Sequence, residues 1–188
     1  MATMKSRFID TPILYDGIQL RSNWIRDFTH IKGDVIASFI GPANVPIEKM
    51  VDLEDVARNA PIFSEDMLHF IVEHFDKDLE RMVLRQRLLI AILHDLLHKN
   101  PSCRNVQRKG NDLYDDNAKL SVSVATSSPV SCLIHTGINI SSANTPVLTK
   151  GLKDYDIDPL NFSKEVLKSY VKEMEGVNHA GTKVRPVA

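Results

Sequence analysis

The sequence predicts an α+β fold: a mixed, largely antiparallel sheet flanked by helices. Three observations predict it. Apolar residues recur at helical spacing from about residue 78 to 99, and again from about residue 163. Between them, residues 102–140 alternate with a period near two, the pattern of strands joined by tight turns. The resulting order of strand, helices, several strands and helix differs from the regular alternation of a parallel α/β fold.

The elements follow in chain order. Residues 6–15 read as a first strand closed by a turn at Asp16-Gly17, and RSNWIRDF fits a helical turn or a strand equally well. DVIASFIG is an unbroken apolar run ended by Gly41-Pro42, as in a buried strand. A short helix is expected from Ile47 to Asn59. A second is expected from Ser64 as its cap, with Phe63 stapled to Leu68 and a stripe of Met67, Leu68, Ile71, Val72 and Phe75. The third, from about Asp78 to Lys99, has an acidic first turn, His98 and Lys99 in its last turn, and Asn100-Pro101 as its stop. DDNA forms a hairpin loop between Tyr114 and Lys119. Ser141 to Gly151 reads as a surface loop. A last helix starts near Ser163, with Val166, Leu167, Tyr170, Val171 and Met174 on one face and Gly176 near its end. No boundary divides the 188 residues, so a single domain, 1–188, is expected.

Composition narrows the function classes. With 23 basic and 24 acidic residues, a net charge of −1 and no Lys/Arg tract, the chain lacks the electrostatic footprint of a nucleic-acid binder. Its most apolar segment, Leu88 to Leu97, is too short to span a bilayer and contains His94 and Asp95, so no membrane partner is expected. Cys103 and Cys132 are the only cysteines, and the N-terminus has no signal-peptide core. Both features point to a cytoplasmic protein.

Lys119 to Thr126 alternates strictly. Lys119, Ser121, Ser123 and Ala125 are expected on one face, with Leu120, Val122, Val124 and Thr126 on the other, against the helices. In the next strand Ser131, Leu133, His135, Gly137 and Asn139 oppose Cys132, Ile134, Thr136, Ile138 and Ile140. Together the two strands offer a polar surface of small residues headed by a cation, suited to a carboxylate or phosphate. A water-covered sheet face has the same composition.

The stretch NDLYDDNAKLSVSV resembles the signature of biotin–protein ligases, Asn-Asp-Leu/Ile-Tyr, a turn, then Lys-Leu-x-Gly, and its variant in lipoate–protein ligases. CLIHTGINI and ASFIGPANVP are similar to further strands of those enzymes. From Tyr15 to Phe162 the chain also resembles a prokaryotic family called domain of unknown function 366, related in fold to class II aminoacyl-tRNA synthetases and biotin synthetases. The resemblance implies a ligase-like or acyl-transferring enzyme acting on a small carboxylic acid or its adenylate. ATP with Mg²⁺ would be the cofactor, biotin, lipoate or a related acid the substrate, and a protein the acceptor. It implies Lys119 as the residue contacting carboxylate and phosphate, and Asp112 as its orienting partner or a Mg²⁺ ligand. Asn111, Ser121, Ser123, His135, Gly137, Asn139, Gly41 and Asn44 would line the substrate site. Arg21, beside Asn23 and Trp24, is a separate candidate for binding phosphate or carboxylate.

The chain departs from the ligase pattern at two points: Val122 replaces the glycine of Lys-x-x-Gly, and no Gly-rich, Arg-containing run is present. These departures suit an alternative, a non-catalytic binder of a small acid or nucleotide on the same fold. Octanoyl transferases resemble this fold too and use a cysteine nucleophile, but alternation puts Cys132 on the apolar face. HDLLH, His94 to His98, has zinc-protease spacing without the glutamate or an evident third ligand, and no metal ligands are assigned. The apolar stripe of the last helix would serve either the core or a homodimer.

Overall fold

The computed structural model describes residues 3–187. Its main sheet has five strands in the order β1-β2-β3-β8-β7: β1 Lys5–Ile9, β2 Val35–Val45, β3 Ile62–His74, β7 Ser121–Ser127 and β8 Cys132–Asn139. β1 runs parallel to β2, and every other pairing is antiparallel. A small sheet joins β4 Val106–Lys109, β5 Asp112–Asp115 and β6 Ala118–Lys119. The helices are α1 Trp24–Thr29, α2 Leu53–Ala57, α3 Leu79–Leu97 and α4 Pro159–Thr182.

Each face of the main sheet has its own core. On one, Leu68, Phe70 and Val72 of β3 and Ile134 and Ile138 of β8 pack with Leu89, Ile90 and Leu93 of α3 and Val166 and Tyr170 of α4. On the other, Ile71 meets Tyr15, Trp24, Ile25 and Phe39. The α4 stripe that a second copy could have covered is therefore buried within this chain.

The expected second helix is strand β3. Met67 to Val72 is apolar at every position except His69, and a run that fills both faces of a central strand also contains a helical stripe. Even-numbered residues meet the α3/α4 core, while Ile71 meets the opposite one. Ser64 is a buried strand residue, not a cap.

Four other expectations shift. The first strand ends at Ile9, and beyond it the chain returns to β2 through single hydrogen bonds from Ile13 and Tyr15 and a Tyr15–Ala43 bridge. RSNWIRDF supplies α1. The helix expected over 47–59 divides into a 3-10 turn, Ile47–Lys49, and α2. The last helix starts at Pro159, capped by Asp158 accepting from the Asn161 N–H at 2.8 Å, and runs through Gly176 to Thr182. The third helix and the 114–119 hairpin stand as expected, with Tyr114 paired to Lys119.

Gly41 positions the segment that closes the site. The 13–15 segment lies along the end of β2 through Ile13 N–H to Ile40 O at 3.2 Å and Tyr15 N–H to Pro42 O at 2.9 Å. A Cβ at Gly41 would collide with the carbonyl of Ile13, a backbone atom that cannot rotate away. Gly41→Ala is expected to cost about 1–3 kcal/mol or more, read as a lower urea midpoint. An unchanged midpoint would mean that the close approach is not a constraint.

Candidate functional site

A cleft of about 210 Å³ opens between β7, β8, the 15–20 segment and α2. A second, of about 170 Å³, adjoins it. Both are lined by Asp55, Ile62, Lys119 and Val122. The first has an acidic wall, Asp52, Glu54 and Asp55 at the start of α2, facing Asp112. The second is mostly apolar, with Pro61, Phe63, Met67 and Val147.

Lys119 stands at the seam. It reaches this position because β6 ends at Lys119, where the Tyr114 pairing fixes it, and the main sheet resumes only at Ser121. Its ammonium is 2.9 Å from Asp112 Oδ2, with the two side chains 30% and 18% exposed. Burial works to lower the amine's pKa, but the Asp112 charge and hydrogen bond outweigh it and hold the amine above its usual value. Burial raises the Asp112 carboxyl, and Asp55 and Asp52 add to the rise against the pull of Lys119. Asp112 Oδ1 is buried and has no partner.

The expected alternation on β7 is reversed. Ser121 and Ser123 pair with Ile138 and Thr136, so their side chains lie on the α3/α4 side of the sheet. Ser121 Oγ accepts from the Leu113 N–H at 2.9 Å, and Ser123 Oγ accepts from Gln86 Nε2 of α3 at 2.9 Å. Val122 and Val124 lie on the cleft side of the sheet, while Ser123 still borders the first cleft and Ser121 the second. The physical reason is the break at Leu120: a one-residue change of phase exchanges the faces of all that follows. On β8 the expected division holds, with His135 at the cleft and Ile134 and Ile138 in the core.

The other candidates occupy different settings. Asn111 lines the cleft and donates to Ser123 O at 2.7 Å. Asn139 lines the second cleft and bridges Lys119 O and Lys150 O at 3.3 and 3.4 Å. Gly137 leaves room for Met67, whose sulfur a Cβ would strike. Gly41 accepts from His69 through its carbonyl at 3.1 Å. Asn44 is exposed on β2 and lines neither cleft. Arg21 lines neither and is paired with Asp27 at 2.9 Å, both side chains more than half exposed.

Sequence reasoning missed Tyr15 and the pairing of His69 with His135. Tyr15 stacks on His135 with ring centroids 3.7 Å apart, and His69 Nδ1 lies 3.1 Å from His135 Nε2. Both histidines are fully enclosed. Burial brings His69 down to about 3, and burial together with its neighbour holds His135 well below the usual range. Their opposition across β3 and β8 was hidden once β3 was read as a helix. The acidic wall is legible in the sequence as Asp52, Glu54 and Asp55, which a cation site and a solvated helix start explain equally well.

The remaining motifs lie elsewhere. His98 Nε2–H donates to Val106 O at 2.8 Å, which occupies one of the four ring nitrogens of HDLLH. Among the described residues no cluster of three or more His, Cys, Asp or Glu is arranged to hold a metal ion. Both cysteines are buried, and burial pushes the Cys103 thiol up to about 11. Cys132 lies at the far end of β8 from Asn139, roughly 23 Å away at the usual strand rise. Among the described residues no helix is long and apolar enough to cross a membrane.

A family profile described as "Domain of unknown function (DUF366)" matches residues 4–185. The chain belongs to this family. An uncharacterised protein of Methanocaldococcus jannaschii is 35% identical over an alignment covering 96% of this chain and 84% of the relative. A solved protein of unknown function from Pyrococcus horikoshi has a TM-score of 0.92 and 38% identity, covering 98% of this DUF366 chain and all of the other. The biotin protein ligase of Aquifex aeolicus, solved with biotin and ATP, has a TM-score of 0.61 at 13% identity, covering 89% and 69%. Lipoate-protein ligase A, solved with ATP, has a TM-score of 0.59 at 12% identity, covering 91% and 86%. At such identities the likeness establishes the fold: this DUF366 member has the mixed α+β fold of biotin and lipoate ligases, which is of the class II aminoacyl-tRNA synthetase type.

Two aspartates of β5 are expected to respond oppositely. Asp115, whose side chain is 4% exposed, sits 2.6 Å from Lys150 Nζ and 2.7 Å from Tyr155 Oη. Burial works to raise its carboxyl, but these two partners outweigh burial and hold it below the usual range. A lowered folded-state pKa gives stability that is present above the unfolded value, about 3.9, and lost as pH falls through the folded one. Asp112 is raised, so its contribution is present at low pH and lost as pH rises through its folded pKa. Asp115→Asn should therefore lower the melting temperature at pH 7, by about 1–3 kcal/mol of stability, and flatten the acid limb. Asp112→Asn removes a carboxylate that burial disfavours but also takes the partner from the Lys119 ammonium, so it should cost less than Asp115→Asn. Melting curves across acid and neutral pH check both, and equal losses for the two variants would contradict these assignments.

Proposed function

We propose that this DUF366 protein is a ligase-like enzyme that binds a small carboxylic acid, or its adenylate, across Lys119. The observation that carries the reading is the position of that cation at the seam of two adjoining clefts, one polar and one mostly apolar. An acid with an apolar body would place its carboxylate at the ammonium and its body in one chamber, leaving the other for an activating group. Lys119 would then screen the repulsion between carboxylate and α-phosphate and balance the charge that develops as pyrophosphate leaves. Asp112 would hold the ammonium in place.

Mg²⁺ fits this arrangement to a limited degree. Asp112 would have to turn its sealed, unpartnered Oδ1 to the cleft to supply one carboxylate oxygen, and Mg²⁺ in such sites takes one or two carboxylates together with substrate phosphates. The ion would neutralise phosphate charge against the acidic wall. Activated acid would pass to an acceptor protein, as the fold's relation to protein ligases suggests. The two buried cysteines, one remote from Lys119, lend no support to a thiol-based acyl transfer.

A second reading is supported by the acidic wall itself. Asp52, Glu54 and Asp55 would repel a triphosphate, and the chain has no Gly-rich, Arg-containing run to compensate. A non-catalytic binder of a small acid or nucleotide would keep the clefts and dispense with ATP.

Acid-dependent exchange of labelled pyrophosphate into ATP, over biotin, lipoate, octanoate and the amino acids, separates the two. The ligase predicts exchange with at least one acid, reduced by about 10²–10³ in Lys119→Ala. Exchange that is indifferent to Lys119→Ala removes the anchor. A melting-temperature shift by an acid without any exchange establishes the binder.

A further inference from the structure

We propose that the ligand of the larger cleft carries an N–H or O–H donor besides its acid group, and that His135 Nδ1 receives that donor. The inference rests on the reading of Lys119 as the anion anchor and narrows the substrate to hydroxy, amino or ureido acids or their adenylates.

The argument starts from a carbonyl. Gly41 O lies 3.1 Å from His69 Nε2, and a carbonyl oxygen only accepts, so that nitrogen carries the hydrogen. His69 is 0% exposed, and its desolvated ring is neutral. Its Nδ1 is therefore a lone pair. His135 Nε2, 3.1 Å away, must donate to it. His135 is 1% exposed and neutral for the same reason. Its second nitrogen, Nδ1, is left as a bare acceptor. The backbone thus sets the tautomers of two rings in series.

That acceptor has no protein partner. The sealed side-chain atoms without partners among the described residues are Asp112 Oδ1 and Asp115 Oδ1, so His135 Nδ1 is open to the cleft its residue lines. Tyr15 covers the ring face at an interplanar angle of 13° and keeps it from turning. A nearly buried acceptor that no protein donor meets is one that a ligand donor can pair.

The rest of the lining agrees. Its cations are all engaged: Lys119 by Asp112, Lys49 by Asp16 and Arg58 by Glu54. Among the other lining groups without a protein partner, Asp112 Oδ1 is sealed, and the Tyr15 and Tyr114 hydroxyls can either donate or accept. His135 Nδ1 is the nearly buried, open group that can only accept, and a ligand made only of carboxylate and hydrocarbon or disulfide, such as octanoate or lipoate, brings it no donor. A urea, amine or hydroxyl does.

Isothermal titration of the full chain tests this, with octanoate and lipoate as plain acids. Biotin and the hydroxy and amino acids are the donor-bearing probes, and adenosine is a donor without a carboxylate. At least one donor-bearing acid should bind roughly tenfold tighter than either plain acid. His135→Phe, which keeps the stacked ring, should remove that advantage. Nitrogen-15 NMR of the unliganded wild-type protein gives a readout that needs no variant: His135 should show a bare Nδ1 and a protonated Nε2. A proton on His135 Nδ1, or plain acids binding as tightly as every donor-bearing one, overturns the inference. If acids bind through Lys119 regardless of donors, the acid reading survives and this inference fails. If only adenosine binds, and weakens in His135→Phe, the donor inference survives and the acid reading fails. No binding by any probe at millimolar concentration overturns both.

Discussion

The geometry of the candidate site depends on a change of phase in one strand. Lys119 ends β6 in the small sheet, Ser121 begins β7 in the main one, and Leu120 belongs to neither. Without that break the strand would alternate through, and the serines would share the face of Lys119. With it, Val122 and Val124 form the cleft wall while the hydroxyls of Ser121 and Ser123 are spent on Leu113 and Gln86. The two serines therefore give the cleft no free hydroxyl, and its cations, Lys119, Lys49 and Arg58, are each held by a carboxylate.

Much of the fold could be read from local patterns because the relevant interactions are local. The α3 stripe, its acidic cap and its Pro101 stop lie within 24 consecutive residues. The Tyr114–Lys119 hairpin needs only its turn. β3 could not be read this way, since an apolar run buried on two faces carries no period of its own. Its identity as a strand is settled by β2 and β8, which lie on either side of it and far away in sequence.

The site shows the same division. Lys119 and Asp112 share one hairpin, and their proximity was legible in NDLYDDNAK. Asn111, three residues from Tyr114, came with them. The His69–His135 pair joins strands 66 residues apart and depends on register, so no short motif announces it. Arg21 and Asn44 show the opposite failure: their residue types suit anion or amide contacts, yet their backbone positions put them on the outer surface. The burial of Asp112 near the carboxylates of Asp55 and Asp52 raises its charge cost, and such costs are common where a protein keeps a pocket ready instead of optimising its own packing.

Gly41 connects backbone shape to proton position. Its bare α-carbon allows the chain at residue 13 to lie flush against β2, which brings Tyr15 over the His135 ring, while its carbonyl orients the hydrogen of His69. One missing methyl group thus governs the roof of the cavity and the direction in which two imidazoles point their protons. Evolution of a different ligand preference would not need to alter the ring that meets the guest. A shift of the peptide plane behind it, too far from the cavity to be touched, would invert the polarity of the whole relay.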